Sequence, residues 1–363
     1  MSKISIVLPV YNGELHIKES IDSIINQTFV DWELIIVNDC STDKTLDIIT
    51  DYMKRDMRIR IVNNDNNLKL PKSLNKGFEY AQGEYLTWTS DDNIYLENAL
   101  ECMHNFLEKN IEASMVCADM ETIDTNGKVI GKEPVFNNDE LACRNRVGAC
   151  FLYRKIILKD IGKYDETLFL VEDYDYWMRI QEKYGEIFRI SKVLYKYRRH
   201  EKSLSLSKQK QVIQSLISLR EKHCKYIFYK LENLPHLLYY IFIENLINNN
   251  TESKMNEIIY KHLPEVTPIL QNTSRNKKII VFGAGNYGRK FYKESKSEVV
   301  AFVDNNQNII GKSIDGIRIK SLEEITDKEG DFHIVVAMSK EKQYEVILQL
   351  WNAGFKNYSI LLY

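Results

Sequence analysis

The stretch Lys3-Ile4-Ser5-Ile6-Val7-Leu8-Pro9-Val10-Tyr11-Asn12 decides how the first half of the chain is read. An apolar run closes on a proline and small polar residues, the pattern of a buried strand entering a turn. Further apolar runs follow at residues 33–37, 59–62 and 84–88. Each is continuous rather than alternating, so each reads as a strand buried on both faces. Between them, Ile17, Ile21, Ile24 and Ile25 recur at helical spacing, and Ser41-Thr42-Asp43 ahead of Leu46, Ile48 and Ile49 reads as a capped helix start. Strand and helix alternate, which predicts βαβ units and a largely parallel sheet. From Ser114 to Arg154 the pattern is more strand-like, with Asn126-Gly127 turning between two short strands, so the sheet acquires a mixed extension.

A length of 363 residues exceeds one average domain and predicts two or three. Residues 208–272, starting with Val212, Leu216, Ile217 and Leu219, read as a helical connector with a loop at Asn248-Asn249-Asn250-Thr251. A polar linker from Gln271 to Lys278 sets a boundary before Ile279-Ile280-Val281-Phe282. The expected division is 1–207, 208–272 and 273–363.

Composition excludes several classes. With 44% apolar and 28% charged residues the chain is neither disordered nor fibrous. A net charge of −2 gives no reason to expect a nucleic-acid partner. Six cysteines without a Cys-x-x-Cys pair show no zinc pattern or disulfide framework, and read as reduced, mostly buried thiols. The start lacks the basic-then-apolar layout of a signal peptide, so the expected location is the cytosol. The most apolar window, residues 237–243, stops at Glu244 and Asn245, which allows docking at the inner face of a membrane but no span.

The chemistry concentrates at strand ends. Pro9-Val10-Tyr11-Asn12 follows the first strand, Asn38-Asp39-Cys40-Ser41-Thr42-Asp43 the second, and Thr89-Ser90-Asp91-Asp92-Asn93 the fourth. Ligands of open α/β sheets bind at this edge. An isolated Asp after a strand serves equally as a helix cap. Adjacent carboxylates repel, however, and Asp91-Asp92 is easier to understand with a divalent cation offsetting the charge.

In this order of motifs the chain resembles family 2 of the glycosyltransferases, the inverting group with the GT-A nucleotide-diphospho-sugar transferase fold. The resemblance runs from residue 4 to about residue 204. Besides the segments above it includes Ser23-Ile24-Ile25-Asn26-Gln27-Thr28-Phe29, Leu74-Asn75-Lys76-Gly77, Gly83-Glu84-Tyr85-Leu86, Gly162-Lys163-Tyr164-Asp165-Glu166 and Glu172-Asp173-Tyr174-Asp175-Tyr176-Trp177. It implies that Pro9, Tyr11, Asn12, Glu14 and Asp39 line the donor nucleoside pocket, with Asp39 facing the base. It implies Asp92 as a direct metal ligand, Asp91 as a second ligand nearer the ribose, and Mg²⁺ or Mn²⁺ as the ion. Asp173 matches the general base and Glu172 a residue that orients it, although acids at a helix start also answer to the helix dipole, as Asp175 does. In Tyr197-Arg198-Arg199-His200, Arg199 is a phosphate-binding candidate and His200 a further metal ligand. Two positions depart from the family: Asn38 replaces a frequent Asp, and Lys69 stands where relatives often carry Gly. Lys69 either reaches the diphosphate or faces solvent. The implied partners are a nucleotide-sugar donor, a UDP-sugar, and a glycan or lipid-linked glycan acceptor of the bacterial envelope, capsule or lipooligosaccharide, with peripheral membrane association.

The C-terminal stretch Gly283-Ala284-Gly285-Asn286-Tyr287-Gly288, between a strand and a helical run, with Asp304 ending the next strand, is a Gly-x-Gly-x-x-Gly fingerprint. It resembles small Rossmann-like modules attached to polysaccharide-biosynthesis enzymes, with NAD or another nucleotide as the implied ligand. Three readings follow: a sugar-transferring enzyme, a degenerate transferase fold that only binds, and an NAD-linked oxidoreductase or epimerase. Joint retention of Asp39, Asp92 and Asp173 argues against the second. The C-terminal segment has no visible catalytic half, which argues against the third.

Overall fold

The structure is a computed structural model describing residues 3–132, 138–200, 203–233, 237–238, 240–241, 278–295, 298–325, 332–355 and 358–360. The expected loop at Asn248-Thr251, the linker from Gln271 and most of the expected connector lie outside the described residues. The chain divides into two compact units, Met1–Ile227 and Phe228–Tyr363.

The first unit begins with β1 (Ile4–Val10), α1 (Ile17–Ile25), β2 (Trp32–Asn38), α2 (Thr45–Arg55), β3 (Ile59–Asn63), α3 (Leu70–Glu79) and β4 (Tyr85–Trp88). It continues with β5 (Ile94–Tyr95), α4 (Ala99–Lys109), β6 (Met115–Ile123), β7 (Val129–Lys132), α5 (Asn138–Leu141), β8 (Phe151–Arg154), α6 (Ile156–Ile161), α7 (Glu172–Tyr184) and β9 (Phe188–Arg198). Then come α8 (Leu204–Ser207), α9 (Gln209–Lys222) and α10 (Cys224–Leu231), the last of which crosses the division between units.

One sheet runs in the order β3-β2-β1-β4-β8-β6-β9-β5, with β7 paired to β6. The β3-β2-β1-β4 half is parallel throughout. Its strand ends therefore face one edge, bringing residues 11–14, 39–43 and 89–93 to a common rim. The other half is mixed, since β8 runs antiparallel to β4 and β6 while β6 and β9 are parallel. β1 and β2 are buried nearly throughout, as their unbroken apolar runs require. β3 is different: it is the edge strand, and Arg60 and Asn63 are exposed. α1 buries Ile17, Ile21 and Ile24 against the sheet. Of the expected cap of α2 at Ser41–Asp43, Asp43 serves the helix start, its Oδ1 accepting the N–H of Thr45, the first helical residue, at 3.0 Å. Ser41 and Thr42 bond the first loop instead.

The second unit holds β10 (Lys278–Phe282), α11 (Asn286–Glu294), β11 (Val299–Val303), β12 (Ser313–Ile314), β13 (Ile317–Lys320), β14 (Phe332–Val336), α12 (Lys340–Asn352) and β15 (Tyr358–Ile360). The sheet order is β12-β13-β11-β10-β14-β15, parallel except for β12. In chain order its parallel strands read 3-2-1-4-5, the Rossmann arrangement. Gly288 lets α11 sit on the turn, since a Cβ there would overlap the Gly283 carbonyl. Asp304 accepts the Ala284 N–H at 2.8 Å and the Asn306 N–H at 2.9 Å, so it braces the glycine-rich turn. A Cβ at Gly285 would meet nothing within 4 Å.

All six cysteines are free thiols, Cys117, Cys143 and Cys150 buried and the other three half-buried. Among the described residues no helix is long and apolar enough to cross a membrane.

Candidate active site

The first two loops of the rim are zipped together. Asn12 N–H donates to Ser41 Oγ at 3.0 Å, and Asn12 Oδ1 accepts the Thr42 N–H at 2.8 Å. Glu14 Oε2 accepts the Lys44 N–H at 3.0 Å, while Glu14 N–H donates to Asp43 Oδ2 at 3.2 Å. Of the residues expected to line a nucleoside pocket, Pro9 is half-buried at the end of β1 and Tyr11 is 50% exposed on the rim. Asp39 is only 4% exposed. Its Oδ1 accepts Asn64 Nδ2–H at 2.8 Å and the Leu68 N–H at 2.7 Å, and its Oδ2 accepts the Lys69 N–H at 2.9 Å. Asp39 thus organises the loop before α3, a role its sequence position did not reveal.

That loop is strained. Lys69 has φ 72° and ψ 168°, a region essentially reserved for glycine. Asn12, Cys40 and Leu170 also have positive φ, so four of the five such non-glycine residues among those described lie in candidate-site loops. Strain of this kind persists only where surrounding bonds over-determine it, as Asp39 does here. Lys69→Gly should therefore leave stability unchanged or raise it, because relief of about 1–3 kcal/mol exceeds or offsets the roughly 0.5–1 kcal/mol entropic penalty of glycine. Denaturant unfolding checks this, and clear destabilisation would contradict the strain assignment.

The Asp91-Asp92 turn follows β4. Asp91 lies against Gly13, where an added Cβ would overlap its Oδ2. Burial first, and the Asp92 charge second, push the Asp91 carboxyl up to about 7. Asp92 turns elsewhere: its Oδ2 lies 3.0 Å from His200 Nε2. The expected three-ligand set of Asp91, Asp92 and His200 does not converge, because Asp91 packs on the first loop instead. Among the described residues no group of three His, Cys, Asp or Glu side chains is placed to hold a cation. The Asp92–His200 pair nevertheless fits a partial cation shell, with one hard oxygen donor and one imidazole, leaving further positions to phosphate and water oxygens.

Arg198, which sequence reasoning passed over in favour of its neighbour, holds this turn. It is 1% exposed, its N–H donates to Asn93 Oδ1 at 2.8 Å, and its Nε donates to the Asp92 carbonyl at 2.9 Å. Its Nη2 pairs with Glu19 at 2.7 Å. Arg199, the phosphate candidate, is exposed, and its backbone N–H donates to Ile123 O. His16 was also missed: its ring centroid lies 5.9 Å from that of His200, and burial lowers its pKa.

Glu172 and Asp173 open α7 behind Leu170, whose φ is +79°. Glu172 is 3% exposed, and its Oε2 accepts the Leu170 N–H at 2.7 Å. Burial, reinforced by the Asp173 charge, pushes Glu172 up to about 8. Burial also raises Asp173, but Asp173 accepts the Tyr174 N–H at 2.6 Å and Asn145 Nδ2–H at 3.0 Å, and both bonds favour the carboxylate. The two bonds make Asp173, rather than Glu172, the better-supported seat of negative charge in the pair. Asn145 carried no signal in the sequence beyond its loop composition.

A mixed sheet whose parallel half ends in a strained, acid-lined rim, with a carboxylate pair at the start of α7, fits the class of a GT-A transferase fold. Comparisons with known proteins narrow it. Residues 5–162 match the family described as Glycosyl transferase family 2, and residues 275–361 match one described as C2185-like, N-terminal. A glycosyltransferase of Methanocaldococcus jannaschii, described as uncharacterized, is 31% identical over 260 residues, covering 66% of this chain and 88% of that protein. One from Rickettsia bellii is 27% identical over 327 residues, 86% of this chain and 43% of the relative, so the chain spans less than half of that protein. Among solved structures, Staphylococcus aureus TarS 1–349 in complex with UDP-GlcNAc gives a TM-score of 0.50 at 18% identity, covering 71% of this chain and 92% of that one. The mannosyltransferase PcManGT of Pyrobaculum calidifontis, in complex with GDP-Man and Mn²⁺, gives 0.51 at 15% identity, covering 72% and 74%. The chain belongs to glycosyltransferase family 2 and has its GT-A fold.

Proposed function

We propose that this glycosyltransferase moves a sugar from a UDP-sugar, with inversion, to a hydroxyl of a growing cell-surface glycan. The observation that carries the reading is the Glu172–Asp173 pair, in which Asp173 accepts the Tyr174 N–H and an Asn145 amide N–H, bonds that favour its carboxylate, while burial raises Glu172. Asp173 takes the acceptor hydroxyl's proton as that oxygen bonds to the anomeric carbon. The bond from that carbon to the diphosphate breaks, and its electron pair leaves on the nucleotide. Glu172, its carboxyl raised by burial, braces the strained Leu170 turn and so keeps Asp173 aimed.

On the donor side, Pro9, Tyr11, Asn12, Glu14, Asp39 and Asp91 form the nucleoside wall in this reading, while Lys69 and Arg199 supply positive charge toward the diphosphate. Asp92 and His200 would hold Mg²⁺ or Mn²⁺. A bound cation supplies Lewis-acid stabilisation of the charge that builds on the departing diphosphate. The reported complexes of TarS with UDP-GlcNAc and PcManGT with GDP-Man and Mn²⁺ support this assignment of donor and ion. The acceptor is a capsule or lipooligosaccharide chain reached from the cytoplasmic face of the membrane. Residues 1–207 form the catalytic domain, 208–272 a connector and 273–363 an attached module. Gly283, Gly285, Gly288 and Asp304 give that module a nucleotide-binding or purely structural role.

A panel of UDP-glucose, UDP-GlcNAc and GDP-mannose tests the reading by hydrolysis and by protection against thermal unfolding. A UDP-sugar should be hydrolysed fastest, and chelation should abolish both effects. Absence of hydrolysis throughout, or rates untouched by chelator, would overturn it.

A further inference from the structure

Asp175 stands two residues beyond Asp173, so on α7 the two side chains point to opposite faces. Asp173 belongs to the site. Asp175 is 0% exposed and meets two cations and an imidazole: Arg179 Nε at 2.8 Å, Lys222 Nζ at 2.7 Å and His223 Nε2 at 2.8 Å. Arg179 comes from the same helix, whereas Lys222 and His223 sit at the junction of α9 and α10. One turn further, Tyr226 OH donates to Gln181 Oε1 at 2.6 Å, which ties α10 to α7 as well. Burial alone would raise the Asp175 carboxyl, but His223, Arg179 and Lys222 hold it below the ordinary range. A buried carboxylate so surrounded is anchored, since removing a partner exposes an uncompensated charge.

The same short segment reaches the other contact of Asp173. Arg220 Nη2 donates to the Cys143 carbonyl at 3.1 Å, fixing the loop whose Asn145 Nδ2–H donates to Asp173 Oδ2. Within two helical turns, then, Arg220, Lys222, His223 and Tyr226 grip both elements that touch Asp173. The helix start beneath it is strained at Leu170, and a strained turn needs such bracing.

The geometry points to residues 220–226 as a positioning clamp that sets the aim of Asp173, with His223–Asp175 as its principal contact and no direct part in the chemistry. This rests on the reading of Asp173 as the base. It also makes the first turns beyond Ser207 part of the catalytic unit, in keeping with a compact unit that runs to Ile227. A misplacement of about 1 Å at a catalytic group can cost on the order of 10²-fold in rate, so a smaller shift of Asp173 lowers kcat while leaving donor binding alone.

The test uses the full chain, with whichever nucleotide sugar of the panel it hydrolyses fastest. His223→Ala should lower kcat about tenfold with the donor KM within twofold, whereas His223→Gln, whose amide can stand in for Nε2, should recover most of the loss. Tyr226→Phe, which removes only a hydroxyl, should lower kcat about threefold and carries the test if His223→Ala does not fold. Unchanged kcat in folded His223→Ala or in Tyr226→Phe overturns the clamp, as does a loss in His223→Ala that Gln does not restore. Activity in Asp173→Asn would instead overturn the base assignment. An inactive Asp173→Asn beside a fully active His223→Ala leaves the base standing and removes the clamp alone.

Discussion

Asp173→Asn is expected to lower transfer by roughly 10²–10⁴-fold while nucleotide binding persists, because the amide keeps the size of the carboxylate but cannot take a proton. The folded state should not weaken. Asp173 is half-buried beside Glu172, and replacing its carboxylate removes the desolvation cost that raises it. The melting midpoint should therefore hold or rise as activity disappears. The pH profile carries the same signature. Burial raises the Asp173 carboxyl, so activity should fall on the acid side at a pH above the ordinary Asp range as the base becomes protonated. As pH rises through about 8, Glu172 ionises and places a second negative charge beside the base, so a decline is expected there too. These are properties of the pair, and the two limbs report it jointly.

Asp92→Ala has the second largest expected effect, a loss of metal-dependent nucleotide binding together with a rate decrease of about a hundredfold or more, as befits a cation contribution of several kcal/mol. The turn itself should survive. Arg198 holds it through the Asp92 backbone carbonyl and the Asn93 side chain, not through the carboxylate that is deleted. His200 loses its partner, since its Nε2 lies 3.0 Å from Asp92 Oδ2. A normal melting midpoint with no response of UDP binding to Mn²⁺ is the expected outcome, read by thermal unfolding and titration.

Much of this arrangement is legible along the chain, and the limits are physical. Continuous apolar runs mark β1 and β2 because buried parallel strands need them, and the acids that follow fall at one rim because parallel strands end together. Lys69 was visible as a departure at a position where relatives often carry glycine, and its backbone proves to have a glycine-like conformation. Contacts across long separations left no local trace. Arg198 reaches Asp92 across 106 residues, and its burial is decided by β9, which lies between β6 and the two-residue strand β5. Arg199, its neighbour, carries the same charge in the sequence and is exposed. Asn145 and His223 are equally silent, since one is a loop amide and the other a helix-junction imidazole until the fold brings Asp173 and Asp175 beside them. Asp91 and Asp92 look interchangeable as neighbours, yet packing on Gly13 separates their roles.

The central claim is that one carboxylate performs the proton transfer and another serves the donor diphosphate. Titration of UDP in Mn²⁺ into Asp173→Asn and Asp92→Ala, side by side, tests it most directly. The account predicts near-normal affinity in the first and loss of the Mn²⁺-dependent component in the second. Loss in the first with retention in the second would contradict it.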